Sequence, residues 1–260
     1  MGQTPSTSAA AKRLISALHR GRYLPTTSTP TTVELNTHIH SQTLHLLSTL
    51  EDKDTTGHFT LSCRPSPTAL GDGVFIDHHT DTLQPGRVLA FFAGQAHLGI
   101  PDGKEDEEPV ASFKQEQWRD NDKTMSLPNG GRINGSKASQ YLDDKRIHNR
   151  LALGQLINHP NTNEFPNVMA WPVVINRDTV HFPHDRIPCI LHDTWYYSNA
   201  MMVDVPVPDR MKVNVPCVVI VATRALHPGD ELKMDYNLNS KEPWYVARNQ
   251  EEDMESESTS

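Results

Sequence analysis

The run Val218-Val219-Ile220-Val221-Ala222 limits most strongly what this chain can fold into. An unbroken apolar stretch rich in β-branched residues leaves no polar face for solvent, so it reads as a strand buried on both sides. Pro228-Gly229-Asp230 then supplies a turn. Beyond it Leu232, Met234 and Tyr236 alternate with Glu231, Lys233 and Asp235. A second, shorter strand is therefore expected, with its apolar side chains inward and its charges outward. Tyr236 ends that strand facing inward. Its ring packs while its hydroxyl needs a partner, which makes it either a core tyrosine or a polar tip in a cleft.

Three further stretches have the look of motifs. Leu156-Ile157-Asn158-His159-Pro160, followed by Pro166-Asn167-Val168, forms an N-H…P-N pattern. Gly71-Asp72-Gly73-Val74-Phe75 places two glycines one residue apart, which lets the backbone turn tightly and bring its N–H groups close to a ligand. Gly86-Arg87-Val88-Leu89-Ala90-Phe91-Phe92-Ala93-Gly94 reads as a strand between a turn and a glycine. Together with Glu231-Leu232-Lys233-Met234-Asp235-Tyr236, these motifs occur in an order that resembles the SET domain of protein lysine methyltransferases, over roughly residues 70 to 245.

The resemblance implies a mainly β fold with short helices (α+β), a β-clip-like set of small sheets with a threaded C-terminal segment. It implies methyl transfer from S-adenosylmethionine to the ε-amine of a lysine in a protein substrate, a reaction that requires no metal. Tyr236 would then be catalytic, Gly71, Gly73, Asn158, His159, Trp244 and Tyr245 would hold the cofactor, and Phe92 would line the substrate channel. The form resembled lacks cysteine-rich segments before or after the domain, since Cys63, Cys189 and Cys217 are scattered singly.

Several positions depart from the family pattern. Gln155 stands where arginine is common, Pro160-Asn161 replaces Ser-Cys, and three extra residues separate the two halves of the N-H…P-N motif. Phe92 stands where a tyrosine is frequent, and Met234 replaces an aromatic residue. These departures leave a second reading open, a catalytically weak SET module that binds a protein partner. A remote third reading takes Asp77, His78 and His79 as the D-H-H triplet of metal-dependent phosphoesterases, with His38, His40 and Asp81 completing the site. That triplet ordinarily ends a buried strand in a βα unit, whereas here a Pro-Gly turn follows it.

Residues 1–59 are expected to form an N-terminal region with short helices. One covers 9–20 and ends at Gly21; another runs from Val33 to Leu50 with Leu35, Ile39, Leu46, Leu47 and Leu50 on one face. The domain proper spans 60–248, with inserts at about 101–131 and 176–215, and 249–260 is an acidic, apolar-poor tail expected to be disordered. The first insert reads as a charged loop. The second carries His181, His184 and His192, expected at the surface, and Trp195, Tyr196 and Tyr197, suited either to a partner or to pinning the loop.

A net charge of −8 disfavours direct nucleic-acid binding and suits a basic protein partner. No apolar run is long enough to span a bilayer. Single, widely spaced cysteines fit a reducing compartment, so an intracellular location, nuclear or cytoplasmic, is expected. Gly2 and Ser6 match the N-myristoylation pattern, which alone gives only reversible membrane association.

Overall fold

In the computed structural model of the chain, the apolar run lies inside a nine-residue strand, β12 (Asn214–Ala222). The structure describes residues 2–3, 11–16, 30–50, 59–69, 71–78, 82–98, 124–127, 131–161, 164–192, 194–196, 204–206 and 209–236. β12 is the middle of a three-stranded antiparallel sheet, between β4 (Val88–Phe92) and β8 (Val168–Asn176). Every residue from Val215 to Ala222 is buried, as an apolar run without alternation demands. Burial of each such valine or isoleucine contributes about 1.5–3 kcal/mol. Proline is rare in central strands, but Pro216 is tolerated here. The pairing with β4 begins only at Val218, so at Pro216 the strand has a neighbour on one side alone.

A second unit is the hairpin of β2 (Thr60–Pro65) and β3 (Asp72–His78). Its connection closes where the Ser66 N–H donates to the Gly71 carbonyl at 2.9 Å, with Gly71 at φ +94°, a conformation that favours glycine. The third is a five-stranded sheet in the order β1 (Gly2–Gln3), β6 (Thr124–Ser126), β7 (Arg132–Asn134), β5 (Gly94–His97), β9 (Cys189–Leu191). β10 (Thr194–Tyr196) and β11 (Asp204–Pro206) pair antiparallel. Both inserts therefore contribute strands to sheets: β6 comes from the first, β9, β10 and β11 from the second. The tail at 249–260 lies outside the described residues.

Of the expected helix at 9–20, residues 11–16 are described and helical, with Ala11 and Leu14 fully buried. The second helix runs Thr32–Ser48. Thr31 accepts from the Glu34 N–H while the Glu34 carboxylate accepts from the Thr31 N–H, a reciprocal cap that fixes its start. At its far end Arg186 Nη1 donates to the Leu47 and Ser48 carbonyls at 3.3 and 2.7 Å, satisfying groups a helix leaves open. The fold is thus mixed α+β, mostly small sheets with few helices. Among the described residues no helix is long and apolar enough to cross a membrane.

Two cysteines far apart in sequence meet in the core. Burial and the neighbouring Cys189 push the Cys217 thiol well above its ordinary value, so it stays protonated. Cys63 is exposed.

One close contact joins the core sheet to the segment bearing Asn158. The single turn Gly154–Leu156 lies against the end of β4, where the Phe91 N–H donates to the Leu151 carbonyl at 2.8 Å. A Cβ on Gly154 would sit 2.8 Å from both the Phe91 carbonyl oxygen and the Phe92 nitrogen. Gly154→Ala is therefore expected to lower stability by about 1–3 kcal/mol, because backbone must move to admit one methyl. Urea unfolding measures this, and an unchanged midpoint would show that the two segments are less tightly joined.

Candidate functional site

The site is built around Glu231, on the segment after the Pro228-Gly229-Asp230 turn. That segment meets β3 first: the Ile76 N–H donates to the Asp230 carbonyl and the Leu232 N–H to the Val74 carbonyl, at 3.0 and 2.7 Å. The Glu231 carboxylate then reaches across the Gly71-Asp72-Gly73 stretch. Its Oε2 accepts from Ser66 Oγ at 3.0 Å, and its Oε1 from Asn158 Nδ2 at 3.0 Å. A Cβ on Gly73 would lie 2.2 Å from Oε1, so the second glycine is required because the carboxylate occupies that space. Asn158 Nδ2 also donates to the Asp72 carbonyl at 3.1 Å, which joins the turn to the N-H motif directly.

Residues 231–234 run between two neighbours. On one side the Met234 N–H donates to the Asn158 carbonyl at 2.9 Å. On the other, Asn167 acts as a clamp. Its Nδ2 donates to the Glu231 carbonyl at 2.8 Å and its Oδ1 accepts from the Lys233 N–H at 2.7 Å. The Asn167 N–H adds a bond to the Lys233 carbonyl at 3.0 Å. Asn167 is buried with all these groups satisfied, which is the condition under which a buried amide stabilises rather than costs.

The expected outward charges are a correction. Instead of a regular strand, Glu231, Lys233 and Met234 make isolated bridges to three different segments. Layers then cover both faces, so Lys233 is buried along with Leu232 and Met234. Lys233 Nζ is held 2.7 Å from Thr68 Oγ1, 3.1 Å from Glu231 Oε1 and 3.7 Å from Glu164 Oε2. Burial raises the Glu164 carboxyl, but the Asn161 N–H bond, the Lys233 ammonium and the Thr68 hydroxyl outweigh it and hold the group below its ordinary value. Asn161 Nδ2 also donates to the Thr68 carbonyl, so Thr68 on one side and Asn161 and Glu164 on the other enclose the lysine.

Tyr236 ends this segment with its hydroxyl inward, as expected. The O–H donates to the Ile157 carbonyl at 2.6 Å, and the ring packs on the main apolar cluster. Its backbone N–H points to His159 Nδ1 at 3.4 Å, and the two rings lie 5.4 Å apart. The Asp235 carboxylate also approaches Nδ1, at 4.0 Å. The two contacts demand opposite roles of one nitrogen. The Asp235 distance is too long for a hydrogen bond, so of these two contacts only the Tyr236 N–H makes one, with Nδ1 accepting. Asn158 and His159 are half-buried at the rim of the core rather than inside it.

Asn158 is thus joined to the glycine turn 86 residues before it and to Glu231 73 residues after it, and His159 to Tyr236 77 residues on. Phe92 is buried in the main cluster, the cluster Tyr236 packs against, and its carbonyl accepts from Cys189 Sγ at 3.6 Å. Trp244 and Tyr245 lie outside the described residues. Gln155 is buried and works inside the fold: Oε1 accepts from the Ala93 N–H and Nε2 donates to the Ala152 carbonyl, at 3.2 and 3.0 Å. For the phosphoesterase triplet, Asp77 is exposed and engaged by Ser62 Oγ at 2.6 Å and Arg64 at 3.7 Å. His79, Asp81 and the His78 side chain lie outside the described residues. Among the described residues no three His, Cys, Asp or Glu side chains converge to hold a metal ion. Of the second insert's histidines, His181 and His184 are exposed, but His192 is half-buried and stacks on His97.

No family model matches the chain, and no curated protein matches it.

Lys233→Met leaves two carboxylates facing each other without their shared cation, so it is expected to lower unfolding free energy by about 3–5 kcal/mol. The acid limb supplies a further check. Glu164 is depressed below 4.5 in the folded state, so its ionised form contributes stability above that value. The contribution is lost as pH falls through the lower folded value. Without Lys233 the depression shrinks, and the stability-against-pH curves of parent and variant should converge on acidification; parallel curves would break the link.

Proposed function

We propose that the chain is a SET-type protein lysine methyltransferase, with residues 231–236 as the threaded C-terminal segment and S-adenosylmethionine as methyl donor. The observation that carries this reading is the double bond from the Asn158 amide, to the Asp72 carbonyl and to Glu231 Oε1. It ties the glycine turn, the N-H motif and the Glu231-to-Tyr236 motif into one unit.

The residues present fit the cofactor. Both amide protons of Asn158 are engaged, so Oδ1 is the group left to accept from an ammonium. At Gly71 an added Cβ would meet nothing within 4 Å, so there is room beside the turn. When bound, S-adenosylmethionine supplies a methyl group already activated on a sulfonium.

The chain's own task is alignment and desolvation. Because the Tyr236 proton is donated to Ile157, the phenol oxygen offers lone pairs, suited to accept from an amine N–H and from weak C–H donors. A free lysine has a pKa of ~10.4, so making it neutral at pH 7 costs about 4.6 kcal/mol. Apolar walls lower that cost by disfavouring the charged form, and Phe92, buried in the cluster beside Tyr236, fits such a wall. Excluding water and holding donor and acceptor in line supply the rest. The substrate is a lysine-bearing protein, and the net charge of −8 favours a basic one.

The second reading, a weakly catalytic module that binds a protein partner, draws support from Phe92, which has no hydroxyl, and from Gln155, whose polar atoms serve the fold. Calorimetric titration with S-adenosylmethionine, followed by methylation assays on basic proteins, separates the two. A parent that binds cofactor and methylates nothing favours the module; a parent that does not bind it overturns both.

Tyr236→Phe is expected to lower kcat by the equivalent of about 2–4 kcal/mol with cofactor affinity little changed. It should also cost about 1 kcal/mol of stability, since the Ile157 carbonyl loses its donor. Undiminished methylation by this variant would remove Tyr236 from the catalytic position.

Asn158→Ala is expected to weaken cofactor binding and to lower stability by about 1–3 kcal/mol, as Glu231 loses one of its donors. Calorimetry and denaturation read the two effects separately, and an unchanged cofactor affinity would detach Asn158 from the binding site.

A further inference from the structure

The five-stranded sheet has an unusual second face. Its first face carries Ala96, Met125 and Ile133 into the main core. Side chains alternate along each strand, and paired residues point the same way, so the opposite face carries Thr124, Gln95, His97, Arg132 and Asn134. These five are polar, while Ile190 beside Gln95 packs into a second apolar cluster with Ala138 and Tyr141; yet Thr124, His97 and Asn134 are 2%, 5% and 7% exposed. One row crosses this face: Arg132 pairs with His97, and His97 stacks on His192 with ring centroids 4.6 Å apart.

Two groups there call for a ligand. The Thr124 hydroxyl is buried and makes no hydrogen bond, an arrangement that costs about 1–3 kcal/mol unless something bonds to it. Arg132 is half-buried, and burial lowers its guanidinium with no carboxylate among the described residues to offset it. Among the described residues of this face there is no acidic side chain. Arg132 and Thr124 present donors from neighbouring strands on this face, and among its described residues no counter-anion stands beside them.

We propose that this face binds a phosphate group, with Arg132 as its charged anchor and Thr124 as a neutral donor, beside the stacked His97 and His192. A guanidinium fork matches either a carboxylate or a phosphate. Donors arriving from separate strands suit the tetrahedral anion better, because it offers oxygens in several directions. The proposal stands independently of the methyl-transfer reading, since it uses none of the residues around Glu231.

The test titrates the full chain with inorganic phosphate against chloride of matched ionic strength, reading melting temperature and calorimetric heat. The parent is expected to be stabilised by phosphate beyond the chloride control. Arg132→Gln should weaken that binding by about tenfold or more, since a hydrogen bond to a charged group is lost. Arg64→Gln removes an equal charge elsewhere and should leave binding intact. Thr124→Val, nearly isosteric, should weaken binding while relieving the unsatisfied hydroxyl, so the free protein becomes no less stable; this keeps the proposal testable if Arg132→Gln fails to fold. A phosphoserine peptide that binds more tightly than free phosphate, with its unphosphorylated form silent, assigns the site to a phosphoprotein; equal affinities assign it to the free anion. A parent indifferent to phosphate, or equal losses in Arg64→Gln and Arg132→Gln, would overturn the proposal.

Discussion

The candidate site depends on one carboxylate. Glu231 has its two oxygens bonded to Ser66, Asn158 and Lys233, and these belong to three separate parts of the chain. A buried carboxylate is costly unless its lone pairs are filled, so the same bonds that hold the segments also make its burial tolerable. Gly73 follows from this, because the space beside it is taken by Glu231 Oε1. The burial of Lys233 follows too: two acidic side chains come within reach of one ammonium, which neutralises part of their charge where water is excluded. A change at any one of these groups leaves another uncompensated, so their effects should be strongly non-additive.

Beneath this polar unit lies an apolar one that sets its position. β12 is buried from Val215 to Ala222 and paired on both sides from Val218 to Val221, so β4 and β8 are fixed relative to each other. β4 then carries the turn at Gly154 through backbone contact, and Gln155 adds a bond to Ala93 just beyond the strand. β8 begins one residue after Asn167. The two clamps on residues 231–234, Asn158 and Asn167, therefore hang from opposite edges of one sheet, and the sheet's rigidity sets the gap between them. The segment that fills this gap presents Tyr236 against Ile157.

Much of the β architecture was legible because apolar runs report burial directly. Val88–Phe92 and Val218–Ala222 are strands as the sequence indicates, and the Pro-Gly turn ahead of the first, at Pro85-Gly86, falls where it was expected. The alternation at Glu231 to Tyr236 misled for a physical reason. Period-2 patterning assumes one face in water, and here both faces are covered, so the charges are paired inside instead of solvated. Asn167 was visible within the P-N pair, but its role as a clamp depends on a partner 66 residues away. The same limit hid Glu164, Ser66 and Thr68, whose polar side chains in a turn-rich loop read as solvated until Lys233 is placed among them. His97 and His192 could not be paired from sequence, since parallel strands β5 and β9 are separated by all of residues 98–188.

The polar unit and the phosphate face share one stretch of chain. β4 passes into β5 through Ala93 and Gly94, and a Cβ on Gly94 would lie 2.2 Å from the Asn134 carbonyl oxygen. That contact presses the start of β5 against β7, leaving little room for a hinge between the two sheets. On one side of this joint Phe92 packs in the cluster that Tyr236 touches; on the other, His97 lies in the row with Arg132. A ligand on the second face would therefore act on a strand continuous with the wall of the first site. Its influence would pass through a packed backbone contact rather than through a mobile loop. An added side chain at Gly94 should disturb both sites at once, because no local adjustment can absorb a carbonyl oxygen at that distance.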